Sequence, residues 1–183
     1  MRRQTIAIDD APFEKSRGGD VLVIGVVMAG PALVEGILTT SVPMDGEDVS
    51  TKLAAWIRSS RFHPSLRAVL LEGLTIAGLS VIDLPLLAAG TGLPAISVDR
   101  RVPQPGLLES TLEKLGMDDR IRSVQAAGPL HAAAGLHFAC AGIAPEEARR
   151  IIAENLGRSA VPEGLRLAHL IGQAVVLGES RGS

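Results

Sequence analysis

Asp9 and Asp10 come directly after the β-type run Thr5-Ile6-Ala7-Ile8. Glu72 comes directly after Arg67-Ala68-Val69-Leu70-Leu71 and is followed at once by Gly73. Asp45, Glu47 and Asp48 lie between the extended run at residues 34–40 and a helix-type stretch that starts near Val49. Acids placed just past strand-type runs offer the oxygen donors that a hard cation such as Mg²⁺ takes, usually only a few of them from protein. One or two such ions would activate water and stabilise a leaving oxygen in phosphodiester cleavage. Acids in these places also cap helices, favour turns and solvate loops. On spacing, Asp10 suits a turn and Asp48 a helix cap, and Asp9 and Glu72 are the stronger ligand candidates.

Further chemistry-bearing residues lie later in the chain. Arg100-Arg101 follows the strand-type run Ala95-Ile96-Ser97-Val98, at the same sheet edge as Glu72, and reads either as a phosphate contact or as a solvated turn. Arg166, His169 and Gln173 stand at i, i+3 and i+7 on an otherwise apolar helix and make one polar stripe, which serves either a site or the capping of strand ends. Arg58 and Arg61 read as surface charges and His63, before Pro64, as a turn residue. His131 and His137 have no acidic or thiol companions for zinc. Cys140 is the single cysteine, so it forms no internal disulfide and is expected to be a buried thiol. No Gly-x-Gly-x-x-Gly or Walker-type loop is present, so a nucleotide-driven motor or a dinucleotide oxidoreductase lacks its phosphate cradle.

Three β-type runs near residues 5–8, 21–27 and 34–40 are separated by short turns, which favours an antiparallel meander. Val49, Leu53, Trp56 and Ile57 then recur at helical spacing, with Asp48 or Ser50 as the cap. Strands at 67–71 and 95–98 alternate with helices at 81–89 and 106–115, the pattern of parallel strands joined by right-handed crossovers. Residues 122–125 and 136–139 read as strands. Pro145 in a first turn, with Glu146 and Glu147 beside it and Gly157 at the end, marks a helix over 145–156, and a last helix runs over 162–177. With no repeat or linker, residues 1–183 are expected to form a single α/β domain: a three-layer, ribonuclease H-like fold on a mixed central sheet.

A 183-residue chain of this kind buries roughly 70% of its unfolded surface. With 46% hydrophobic but only 2% aromatic residues, the core must be aliphatic. A formal net charge of −2 excludes a broadly basic nucleic-acid binder, so any such contact must come from a local patch. Met1-Arg2-Arg3-Gln4 runs straight into a strand, without the apolar stretch of a signal peptide. A cytoplasmic protein with no membrane partner is expected, and its oligomeric state, homo-oligomer or monomer, is not legible.

Several segments together resemble the domain of unknown function 99 family: Ile8-Asp9-Asp10-Ala11-Pro12-Phe13, Asp45-Gly46-Glu47-Asp48, the loop from Glu72-Gly73 to Ala77-Gly78, Leu93-Pro94-Ala95-Ile96-Ser97-Val98, and the ending with Arg166, His169 and Gly178-Glu179-Ser180-Arg181-Gly182. That family is mostly archaeal, has no assigned role and is grouped by fold with endonuclease V, a Mg²⁺-dependent nuclease that cuts beside deaminated bases. The resemblance implies a fold more firmly than a reaction. It maps the family's first-strand Asp onto Asp9 and its Asp-Gly onto Glu72-Gly73. It maps a third carboxylate onto Asp45 or Asp48, with Asp45 favoured. This chain departs from the pattern in three ways. Glu72 replaces an Asp, which moves the carboxylate by roughly 1.5 Å. Leu79-Ser80 stands where Phe-Asn is usual, and the aromatic wedge of endonuclease V has no equivalent, so base stacking would fall to Phe13, Phe62, Phe138, Trp56 or arginine planes.

The resulting expectation is a Mg²⁺- or Mn²⁺-dependent, nuclease-like protein. Asp9, Asp45 and Glu72 hold metal, His169 assists, and Arg100, Arg101 and Arg166 contact nucleic acid. The rival is a non-catalytic nucleic-acid or ligand-binding module on the same scaffold, favoured by Glu72, the acidic charge and the missing wedge. The two differ in whether the acids cluster within metal reach.

Overall fold

In the computed structural model, which describes residues 4–182, the opening β-branched runs form β1 (Gln4–Asp10), β2 (Asp20–Ala29) and β3 (Leu33–Pro43). β1 pairs with β2 and β2 with β3, both antiparallel, so the expected meander is present. The reading of residues 1–3 lies outside the described residues. Helix α1 (Val49–Ser59) leads to β4 (Leu66–Glu72), which enters the sheet parallel to β1. A small hairpin, β5 (Thr75–Ile76) and β6 (Ser80–Val81), precedes α2 (Leu84–Thr91) and β7 (Ala95–Asp99), which is parallel to β4. The rest comprises α3 (Leu107–Lys114), α4 (Ile121–Ala126), β8 (His131–Ala133), β9 (Leu136–Ala141), α5 (Pro145–Asn155) and α6 (Glu163–Leu177). The main sheet has the order β3-β2-β1-β4-β7-β9-β8.

The strands alternate their side chains between two helical layers. Ile6 and Ile8 of β1 and Val69 and Leu71 of β4 join Leu53 and Ile57 of α1 and Leu84 and Leu87 of α2 in one core. Ala7, Leu70 and Ile96 join Ile151 and Ile152 of α5 and Leu165 of α6 in a second. The core is aliphatic as composition requires, and Phe138 is its one fully buried aromatic. Among the described residues no helix is long and apolar enough to cross a membrane.

Three expectations about elements are corrected. Residues 122–125 belong to helix α4, whose end leads into Ala127, buried in the core with α1 and α2, while the strand expected at 136–139 is present as β9 beside β7. The helix expected at 81–89 starts at Leu84: Asp83 accepts the Leu86 N–H at its Oδ1 (2.8 Å) and Pro85 sits in the first turn, while Ser80 and Val81 pair in the hairpin. Asp48 occupies the cap position of α1 but makes no side-chain cap bond, and Ser50 Oγ instead accepts the Asp83 N–H (2.8 Å). Cys140 is half-buried, not buried.

α6 lies close on β1 and β2 because two of its positions lack a side chain. A Cβ at Gly164 would stand 2.7 Å from Ala7 Cβ and 3.0 Å from Met28 Cγ, and one at Gly172 would stand 2.9 Å from Ala11 Cα. This approach brings His169 of α6 to the end of β1. Gly164→Val should therefore overpack the interface and destabilise the protein by about 1–3 kcal/mol, read by urea unfolding. A change below roughly 0.5 kcal/mol, the scale of ordinary surface substitutions, would mean that α6 does not pack at this distance.

Candidate metal centre

Strand alternation decides which acids meet. Asp9 shares the parity of Ala7 and so faces α6, whereas Asp10 shares that of Ile6 and Ile8 and faces the opposite layer. Glu72 shares the parity of Ala68 and Leu70 and also faces α6. The parallel register pairs Ile8 with Leu71, so Asp9 and Glu72 end neighbouring strands side by side. α6 adds His169, whose Nδ1 lies 3.1 Å from Asp9 Oδ2. One ligand atom each from Asp9, Glu72 and His169 lie within 4.8 Å of one another.

Burial is the largest influence on Asp9, and the negative charges of Glu72 and Asp10 add to it; together they push its carboxyl up to about 7, against partial relief from His169. A buried carboxylate held beside a half-buried one is a charge arrangement that a divalent cation relieves, and carboxylate oxygens with an imidazole nitrogen form a donor set for Mg²⁺ or Mn²⁺. The residues present fit such an ion.

The other candidates take different places. Asp10 Oδ2 accepts the Ala77 N–H of the β5–β6 hairpin, and burial raises its carboxyl while that bond partly offsets the rise. Asp45 is not brought to the group. Its Oδ1 accepts the Leu79 N–H (2.7 Å), its own N–H donates to the Ala77 carbonyl (2.9 Å), and its backbone is left-handed at φ 52°. Arg120, buried, donates to the carbonyls of Leu79 (2.7 Å) and Asp45, fastening the same loop. The carboxylate expected as a third ligand thus holds the hairpin in place, and the helix α6 imidazole stands beside Asp9 and Glu72 instead. Asp48 is exposed at the start of α1.

Arg100 Nε lies 3.8 Å from Glu72 Oε1, and with Arg101 it borders a cavity of about 680 Å³ that begins at Glu72 and Gly73. Ser97 and Asp99 line this cavity, and Ser97 Oγ is buried without a hydrogen-bond partner. Burial, with the charge of Glu72, raises the Asp99 carboxyl; His137 offsets this in part. Asp99 does not figure among the expected site residues, although it ends β7 as Asp9 and Glu72 stand at the ends of β1 and β4, and the same strand-end rule reaches it one residue past Val98. Arg166 is not directed at this edge: its guanidinium pairs along its own helix with Glu163, Nε to Oε2 at 3.0 Å. The aromatic candidates are structural, since Phe138 is fully buried and Phe13, Trp56 and Phe62 pack on the first core.

Residues 2–176 match the family described as endonuclease dU. The chain belongs to that family. It is 39% identical to a UPF0215 protein of Methanothermobacter thermautotrophicus, over 97% of this chain and 90% of the relative. It is 41% identical to one of Pyrococcus horikoshii, over 97% and 94%. Among solved structures it resembles a protein of unknown function from Archaeoglobus fulgidus (28% identity, TM-score 0.88, 95% of this chain and 98% of that one). It also shares its fold with human ENDOV at 19% identity and a TM-score of 0.58, over 91% of this chain and 81% of that one. The Ciona intestinalis endonuclease V, solved with DNA containing an inosine, gives 13% identity and a TM-score of 0.59, over 91% and 82%. The fold is ribonuclease H-like, in agreement with the resemblance carried by the motifs.

Two outcomes follow from the geometry. An Asp whose carboxyl is raised in the folded state is ionised earlier in the unfolded chain, so with chelator present stability should fall as pH rises from about 4 to about 7. Asp9→Asn removes that loss and should stabilise the metal-free protein at pH 8 by roughly 1–4 kcal/mol, while Mn²⁺ should raise the melting temperature of the parent only. Equal melting temperatures for parent and variant at every pH would show that Asp9 carries no such strain. Asp45→Ala leaves the Leu79 N–H unpaired and should destabilise by about 1–3 kcal/mol with Mn²⁺ affinity within about threefold of the parent, because it disturbs the loop and no ligand. Calorimetric loss of Mn²⁺ binding in a folded Asp45→Ala protein would restore Asp45 to the metal set.

Proposed function

We propose that this protein is a Mg²⁺- or Mn²⁺-dependent endonuclease acting on nucleic-acid phosphodiesters. The observation that carries this reading is the convergence of Asp9, Glu72 and His169 from three separate elements within 4.8 Å, at the end of a sheet of endonuclease V type. Asp9 and Glu72 are the carboxylate ligands, and His169 orients Asp9 through its Nδ1. A divalent ion bound there supplies Lewis-acid stabilisation of the charge that develops on a phosphodiester under attack by water. Arg100 and Arg101, exposed at the mouth of the cavity, meet backbone phosphate. The cavity lies within the size range of small-ligand pockets, and in this reading it receives a nucleotide beside the cleaved bond. The family description, endonuclease dU, and the inosine-containing DNA held by the Ciona enzyme direct the choice of substrate towards DNA carrying a deaminated base.

One observation favours the second reading, a non-catalytic nucleic-acid or ligand-binding module: Arg100 already stands 3.8 Å from Glu72 and competes with a cation for its carboxylate. The spacing of the acids speaks for the first, since carboxylates more than about 8 Å apart would have left them out of metal reach.

Duplexes and single strands carrying one uracil, one hypoxanthine or no lesion should be incubated with protein in Mn²⁺ or Mg²⁺ and resolved on denaturing gels. The expected result is a nick in the lesion-bearing strand that disappears with chelator and drops at least about 100-fold in Asp9→Ala and Glu72→Ala. Binding of these strands without cleavage in either metal would select the module. Cleavage that survives both substitutions would place the chemistry elsewhere.

A further inference from the structure

The Gly-Glu-Ser-Arg-Gly segment after α6 has no part in the site described so far. Gly178 ends α6 in a left-handed conformation (φ 82°), with its N–H donating to the Ala174 carbonyl. The chain that follows places the backbone N–H of Arg181 2.9 Å from Gln173 Oε1. Gln173 is one turn beyond His169, and its Nε2 lies 3.0 Å from His169 Nε2. His169 Nδ1 in turn faces Asp9 Oδ2 at 3.1 Å.

This chain of contacts has one consistent set of protons. A backbone N–H only donates, so the atom of Gln173 facing Arg181 is the carbonyl oxygen, and the amide NH₂ is left facing His169. An NH₂ also only donates, so His169 Nε2 must present its lone pair. The imidazole proton is then on Nδ1, from where it donates to Asp9. In this state Nδ1 has no lone pair for a metal. For His169 to ligate through Nδ1, its proton must move to Nε2, and Nε2–H then needs an acceptor. Gln173 provides one only by rotating its amide, which sets NH₂ against the Arg181 N–H and expels the segment.

We propose that Gln173, oriented by the Arg181 N–H of the exposed segment after α6, forms a tautomer lock: with that bond made, His169 is held as a hydrogen-bond donor to Asp9, and with it broken, His169 is released as a nitrogen ligand of the metal centre. Gln173 is a positioning residue, acting through His169. The inference deepens the metal-centre reading and rests on it for the second half alone, since the tautomer exists without metal.

The test begins with metal-free full-length protein and long-range proton–nitrogen NMR of the histidine side chains at mildly alkaline pH, with His169→Gln to assign the signal. The parent should show the Nδ1–H tautomer. Arg181→Pro removes the backbone N–H and should mix the tautomers, whereas Arg181→Ala keeps that N–H and should leave the parent pattern unchanged. Gln173→Glu, which only accepts, should place a proton on Nε2 and so abolish the parent pattern, in which Nε2 carries none. Mn²⁺ titration should then show Arg181→Pro binding roughly tenfold more tightly than Arg181→Ala, which has lost the same charge but keeps the N–H, the scale on which outer partners tune a metal site. An Nε2–H tautomer in the parent, or an Arg181→Pro spectrum identical to it, would overturn the lock. A changed tautomer with unchanged Mn²⁺ affinity would overturn its coupling to the metal. If neither parent nor variants bind Mn²⁺, the metal-centre reading fails while the spectra still decide the lock.

Discussion

Two carboxylates, Asp9 and Glu72, are set side by side by the parallel register of β1 and β4 at a sheet end partly closed off from water. Like charges so placed oppose folding, and burial raises the cost because the surrounding medium screens and solvates them less than water does. The arrangement persists because the strands that force it are anchored by the two aliphatic cores on either side of the sheet. α6 lies on the same pair of strands, close enough through Gly164 and Gly172 to bring an imidazole to Asp9. A fold that held this geometry only for stability would do better with a neutral residue at position 9.

The consecutive acids Asp9 and Asp10 show how a strand divides labour. One faces α6, where it meets His169, while the other faces the hairpin and accepts its Ala77 N–H. Asp45 and Arg120 fasten the same hairpin from its other side. The hairpin follows Glu72 directly, so bonds made away from Asp9, Glu72 and His169 still fix where β4 ends. This is the supporting layer that positions ligands in metal sites generally.

Strand order and helix order were legible because period-2 and period-3.6 patterns are local, and the meander, β4, β7, α1, α5 and α6 all follow from them. Asp9 and Glu72 were legible for the same reason, as acids at the ends of such runs. The place of Asp45 was not legible, because its spacing fits a ligand or a turn equally; in the fold its backbone is left-handed and its carboxylate holds the Leu79 N–H. The stripe of Arg166, His169 and Gln173 was visible as a stripe, but its members part company in space: Arg166 pairs with Glu163, and His169 reaches a residue 160 positions earlier. Contacts of that range have no local signal. Residues 122–125 read as a strand because α4 spans only six residues, too few for a helical period to show.

Membership of the endonuclease dU family and the fold shared with endonuclease V leave the ligand set as the point on which the functional account turns. The most direct measurement is anomalous diffraction at the manganese edge from crystals grown or soaked in Mn²⁺. The expected result is a peak bounded by the carboxylates of Asp9 and Glu72 with oxygen distances of about 2.0–2.3 Å. A manganese peak on Asp45 or on Asp99 alone, or fully soaked crystals with no peak between β1 and β4, would contradict it.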